Sequence, residues 1–141
     1  RSAAAPPTTT HVLQSQEPRA AALAGNMAAS ADQNFATTAI TIEEQMRGWL
    51  ALIHRLNDVD RQIPIYERLV GLFDFFGRWD IVPFDTPAAA HFKRLRKQGV
   101  RIGTMDLKIA ATALACDVLL LSANLRDFEQ VPDLQVENWL D

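Results

Sequence analysis

Three carboxylates, Glu44, Asp106 and Asp127, fall at or just after the ends of expected strands, and Asn124 sits between the last of those strands and Asp127. Carboxylates gathered at one edge repel one another, so such sets usually persist where a divalent cation neutralises them. Mg²⁺ takes oxygen ligands, keeps several of its waters and bridges to phosphate oxygens. A cation so held can activate a water and stabilise the charge that develops during phosphodiester hydrolysis.

Each acid also has a plainer reading. Asp106 carries the sharpest signal, because the residues three, four and seven positions on are Ile109, Ala110 and Ala113. A carboxylate on the apolar stripe of a helix is costly without a partner, although an acid in a first turn also complements the helix dipole. Glu44 fits as the last member of a capping box that begins at Thr41, in which hydroxyl and carboxylate satisfy each other's backbone N–H groups. Asn124-Leu125-Arg126-Asp127 reads equally as a turn.

Other chemistries find less support. His11, His54 and His91 have no common spacing, so neither a zinc pattern nor a nucleophile triad emerges. The glycines form no phosphate-cradling loop. Cys116 is expected to be a small core residue; as a lone cysteine it leaves no internal disulfide, which points to a reducing cytoplasm. The net charge of -3 argues against a protein that coats nucleic acid through bulk charge. It leaves room for a local cleft, and Lys93, Arg94, Arg96, Lys97 and Arg101 concentrate basic charge just ahead of Asp106. A solvated helix face is the default for such a run, and an RNA-backbone contact is the alternative.

The elements that must position these groups follow from pattern. With 141 residues and 48% hydrophobic content, the chain suits one domain with a real core. No apolar run is long enough for a membrane span. Residues 1–10 read as an unstructured or altered tail, and 11–141 as the domain. An Ala-rich helix is expected over 20–29, with Pro18 near its start. A strand over 35–40 leads into a helix that begins at Thr41, with Met46, Trp49, Leu50, Ile53 and Leu56 at helical spacing. A second helix runs over about 60–76, with Pro64 in its first turn and Gly77 at its end. Next come a strand over 79–84, near a sheet edge because of Pro83, and a helix over 86–98 capped by Asp85 and stopped by Gly99. A helix capped by Thr104 runs to 115. The run over 118–122 (VLLLS) suits a strand covered on both faces, and 134–136 adds a short last strand. Strands alternating with helices give an α/β sandwich with a mostly parallel central sheet and helices on both faces. Its ligands belong beyond the carboxyl ends of the strands.

The residues at those ends carry a family likeness. Thr41-Ile42-Glu43-Glu44-Gln45-Met46-Arg47-Gly48 resembles the T-x-x-E-x-x-x-G segment of PIN domains. Gly103 to Ala111 is similar to their D-x-x-I-A-A helix. Ser122-Ala123-Asn124-Leu125-Arg126-Asp127-Phe128, with Val131-Pro132 and Val136 to Trp139, is similar to their T-x-N-x-x-D-F … V-P-x-L-x-V-x-x-W ending. The likeness spans about 11–140 and is to VapC toxins, Mg²⁺- or Mn²⁺-dependent endoribonucleases restrained by a VapB-type antitoxin. It implies a PIN-like three-layer sandwich. It assigns Glu44, Asp106 and Asp127 as metal-binding catalytic acids, with Asn124 as their polar neighbour. Glu44 matches the motif and Glu43 does not. Ser122 keeps the hydroxyl of the family's usual Thr.

The resemblance breaks at the start. PIN domains open with an apolar strand ending in an Asp that is the first metal ligand. Here the region reads Thr8-Thr9-Thr10-His11, and the first acid in the chain is Glu17. The first strand and the first acid are therefore expected to be missing. Two functions follow: an RNase toxin impaired by that loss, or a catalytically inactive PIN-like module that still docks an antitoxin or RNA. A receiver-type signalling domain is set aside, because no acidic pair follows a first strand. A protein interface, either a homodimer or a contact with an antitoxin, is a further expectation, since Trp49, Leu52, Phe73, Phe75 and Phe76 exceed what one core-facing stripe needs.

Overall fold

The computed structural model describes residues 10–13 and 34–139. The expectations for residues 1–9 and for a helix over 20–29 lie outside the described residues. The described strands form one sheet in the order β3-β2-β1-β4-β5. They are β1 (Thr10–Leu13), β2 (Asn34–Thr38), β3 (Asp80–Val82), β4 (Leu119–Leu121) and β5 (Val136–Glu137), and every pairing is parallel. The expected α/β class with a mostly parallel sheet is what the chain adopts.

The first strand is present, which corrects the expectation that it was missing. Thr10–Leu13 lies in the middle of the sheet and pairs with β2 on one side and β4 on the other. Four residues suffice because both rows of backbone groups are satisfied by neighbours. The segment THVL escaped notice because it shows neither a long apolar run nor clean alternation.

Between the strands run α1 (Ala39–Arg55), α2 (Val59–Phe76), α3 (Thr86–Lys97), α4 (Thr104–Cys116) and the single turn α5 (Leu125–Phe128). None of the described helices is long and apolar enough to cross a membrane. Several boundaries differ from expectation for local reasons. Helix α1 starts earlier because Thr38, not Thr41, is its cap: the Thr38 hydroxyl accepts from the Thr41 N–H at 2.9 Å. The capping box through Glu44 therefore does not exist. Asp58 caps α2, which places Pro64 inside that helix rather than in its first turn. Gln62 offsets the disruption by tying the α1–α2 corner together, donating to the Leu56 carbonyl at 2.7 Å and the Ile53 carbonyl at 3.3 Å. Asp85 caps α3 as expected, accepting from the Ala88 N–H at 3.1 Å. Gly99 stops it at φ +85, a left-handed turn that suits glycine. Thr104 is the first residue of α4 rather than its cap, which is Gly103 with no side-chain bond.

Along β4 the side chains alternate. Leu120 joins the larger core with Ile40, Leu95, Leu107, Ile109 and Phe128. Leu119 and Leu121 face the other side, against Phe35, Trp79 and Trp139. This is the two-face burial that a continuous VLLL run requires. Strand β3 is a sheet edge, with Pro83 just past its end, where a missing N–H costs no ladder bond.

Candidate active site

The parallel sheet brings the N-terminal ends of α1, α4 and α5 to one end: Asp106 and Asp127 lie in the first turns of α4 and α5, and Glu44 lies in the second turn of α1. Thr38 and Thr41 anchor the first of these turns. Their hydroxyls lie 2.9 Å apart and both residues are buried. One turn on, Glu44 is half-buried. Its carboxyl is pushed above the usual carboxylate range, first by burial, then by the charge of Asp106, then by Glu43; Arg47 opposes the shift. Glu43, its sequence neighbour, instead holds Arg47 in an exposed ion pair at 3.0 Å. Glu44 is thus the member of the pair that feels Asp106.

Asp106 occupies the first turn of α4, above Ile109, Ala110 and Ala113, all fully buried. The stripe read from the sequence is real, and Asp106 stands half-buried at its open end. The third turn is fixed by a buried ring and a buried hydroxyl. Phe128 is completely buried, which contributes roughly 1.5–3 kcal/mol toward holding the short α5 in place. Ser122, also fully buried, accepts from the Asn124 N–H at 2.9 Å. Asn124 then donates through Nδ2 to Asp127 Oδ2 at 3.0 Å and, more weakly, to Asp106 Oδ2 at 3.4 Å.

The four sequence candidates lie toward one end of the sheet: the Asn124 amide links Asp127 and, more weakly, Asp106, and Glu44 is near enough to Asp106 to feel its charge. Sequence reading missed Thr38 as a positioning group; the signal was the pair Thr37-Thr38 at the strand end, where a hydroxyl can cap the next helix. Ser122 was read only as a substitute for Thr, and its bond to the Asn124 backbone gives that hydroxyl its use.

The donors are hard oxygens, the type that Mg²⁺ and Mn²⁺ prefer. Repulsion from Asp106 adds to burial in raising Glu44, and a bound cation would relieve that part of the shift. Among the described residues, however, no three His, Cys, Asp or Glu side chains are grouped closely enough to hold a metal ion. The donor type suits such a cation; the spacing of the three acids does not form a closed cage for it.

The remaining candidates lie elsewhere. Cys116 is exposed at the end of α4, which corrects the expectation of a core residue. Partial desolvation and the Asp85 charge push its thiol up, the wrong direction for a nucleophile. His91 accepts from Arg94 through Nδ1 at 2.7 Å. Both line a pocket of about 360 Å³ with Asp117 and Asp133, and none of the four candidate residues lines it.

Residues 10–134 match the PIN domain model. The chain belongs to the PIN domain family. It is 42% identical over 71 residues to Ribonuclease VapC2 of Haemophilus influenzae, a match covering 48% of this chain and 54% of that protein. It is 26% identical over 94 residues to the tRNA(fMet)-specific endonuclease VapC of Salmonella typhimurium, covering 64% and 71%. The chain spans about half the length of the first of these relatives. In fold it is similar to VapBC-1 from nontypeable Haemophilus influenzae, with TM-score 0.68 and 20% identity over 94% of this chain and 98% of that one. It is also similar to DNA-bound VapBC from Salmonella typhimurium, with TM-score 0.67 and 20% identity over 94% and 98%. At that identity these structures speak for the fold.

Proposed function

We propose that this PIN domain is an endoribonuclease of the VapC toxin type, in which Glu44, Asp106 and Asp127 bind Mg²⁺ or Mn²⁺ and Asn124 sets the spacing of the two aspartates. The observation that carries the reading is the Asn124 bridge between Asp106 and Asp127, with Glu44 raised first by burial and then by the same Asp106 charge. A bound divalent cation supplies an activated water and stabilises charge on the phosphate. The protein's part is to hold three carboxylates at one edge and to keep Asp106 half-shielded. The names of the relatives support RNA as substrate. No acid follows β1 in the sequence until Glu17, so a ligand is lacking where the family resemblance expects one, and weak cleavage is the expected result. The deciding assay compares the chain with Asp106→Asn on a mixed RNA pool in Mg²⁺, Mn²⁺ and EDTA. Cleavage that survives Asp106→Asn would sink the assignment of the site.

A catalytically inactive binding module is the second reading, favoured by the looseness of the acid group. Both readings involve a VapB-type antitoxin as partner, and α2 offers a surface for it. Val59, Ile63, Tyr66, Val70 and Phe73 are all at least half exposed and recur at four- and three-residue steps, the spacing of a helix-pairing seam. Of the apolar residues singled out from the sequence, Phe73 and Phe75 belong to this exposed region, whereas Phe76 is buried. Asp60, Glu67 and Asp74 follow the seam at seven-residue intervals. Close antiparallel pairing of two α2 helices would set acid against acid. A helix with basic flanks avoids that cost, so an antitoxin fits this surface better than a second copy.

A further inference from the structure

We infer that the face of α3 and its junction with α4 form a docking track for single-stranded RNA, leading to the Asp106 end of the sheet. The α3 face read from sequence as a basic run has two properties that a merely solvated face does not require. First, most of its cations have no carboxylate partner. The chain carries 14 Lys and Arg, and five of them fall between 93 and 101. Among the described residues, Lys93, Arg96, Lys97, Arg101 and Lys108 stand in no ion pair with a carboxylate. Among the described residues, Arg47 and Arg78 do make such pairs, with Glu43 and Asp74. A concentrated, uncompensated positive ridge on a protein of net charge -3 is local by design of the fold, not a reflection of overall charge.

Second, the cations are interleaved with aromatic rings that are partly buried against the core, so that the rings hold the cations in place and the Arg96 guanidinium plane is what a base can stack on. The Arg96 guanidinium lies 4.9 Å over the Phe92 ring. Phe92 meets Phe84 edge-on with centroids 6.3 Å apart. Lys108 Nζ lies 5.9 Å over Phe84. This ladder crosses from α3 to the start of α4, where Lys108 is two residues beyond Asp106 on the other flank of the same helix end. On the far side of α3, Ala88 and Leu95 are fully buried, so the helix is pinned with Lys93 and Lys97 outward. Phosphates need cations, and unpaired bases need ring faces or guanidinium planes; single strands use both together. A duplex would use only the charges.

The direction of the strand rests on the nuclease reading above, but the docking itself does not. The test is therefore binding without cleavage: fluorescence anisotropy of a labelled mixed-sequence RNA of about 20 nucleotides in EDTA, over roughly 50–200 mM salt. With about 0.7 counterions released per phosphate contact, Lys93→Ala/Arg96→Ala/Lys97→Ala should flatten the log–log salt slope by about 2, an ~18-fold smaller loss across that range. Phe92→Leu keeps the packing and removes the ring, and should weaken the single strand roughly five-fold or more while leaving the matching duplex unchanged. A control, Arg55→Ala/Arg61→Ala on α1 and α2, should change nothing. No binding by the parent chain, or an unchanged slope in the triple variant, overturns the track. Polyglutamate competing as well as RNA, with Phe92→Leu silent, would mark a general anion surface and overturn it too. If binding follows the ridge while the Asp106 assay shows no cleavage, the nuclease reading fails and the track stands.

Discussion

Replacing Asn124 with Asp tests the shared-cation reading directly. The amide now donates to Asp127 at 3.0 Å and to Asp106 at 3.4 Å. Asn124→Asp removes both bonds and sets a third negative charge at those distances. Two unit charges about 3 Å apart repel by ~1.4 kcal/mol in water and by ~5.5 kcal/mol at an effective dielectric of about 20. Half-burial places the site between these limits. Protonation sets a ceiling: taking up a proton at about pH 7 costs an ordinary Asp ~4.2 kcal/mol, roughly three pH units at 1.36 kcal/mol each. The expected destabilisation without cation is therefore about 2–4 kcal/mol, or ~6–15 °C in Tm for a domain of this size. A cation should reverse it, because the extra carboxylate is also an extra ligand, and a ligand at about 100 times its Kd returns ~2.7 kcal/mol. The assay is thermal unfolding of parent and variant in EDTA, Mg²⁺ and Mn²⁺. A variant whose Tm falls equally with and without cation would refute the idea that these acids share an ion. A variant that does not fall at all would refute the Asn124 bridge.

Three further outcomes are expected. Glu44→Gln should raise Tm near neutral pH and lose that advantage in acid. The folded-state pKa of Glu44 lies above its unfolded value, so the folded chain binds the proton more tightly, and ionised Glu44 is a cost that disappears as pH falls through the folded pKa; equal Tm gains at all pH would point to a packing effect instead. Val70→Asp/Phe73→Asp, at positions 69% and 63% exposed, should leave stability within about 0.5 kcal/mol per site yet abolish capture of a co-expressed VapB-type antitoxin in a pull-down. Gln14→Asp, at the residue that follows β1 in sequence, should strengthen Mn²⁺ binding by calorimetry and increase RNA cleavage; no change in either would show that position 14 does not face the site.

Much of this architecture was legible because the strongest signals were local. Asp85 before Thr86-Pro87, Gly99 after Lys97 and the run at 118–122 each specify one element with little outside help. The interior strand β1 was not legible, because THVL becomes a strand through its partners on both sides rather than through its own pattern. The start of α1 was misread for a related reason. Thr38 and Thr41 are both competent caps, and only the bend after β2 decides which hydroxyl meets which N–H. Pro64 was placed too early because Asp58 and Asp60 both suit the end of a helix, and Asp58 is used. Of the site, the acids were visible and their linkage was not: no spacing rule connects Asn124 to Asp106 across 18 residues.

The misread cap bears on function as well as on fold. From sequence, Glu44 had a sufficient structural explanation as the closing member of a capping box at Thr41. With Thr38 as the cap, that explanation is gone. Glu44 lies in the second turn of α1, too deep to serve the helix terminus, and sits half-buried near a like charge. Asp127 loses much of its plain reading too, since a single-turn helix has little dipole to complement and its carboxylate is turned toward the Asn124 amide. Only Asp106 keeps a structural alternative, as a first-turn acid of α4. Two of the three acids thus lack a structural reason for their place, and under the proposed function a cation that reached them through its own waters would offset the cost of keeping them there.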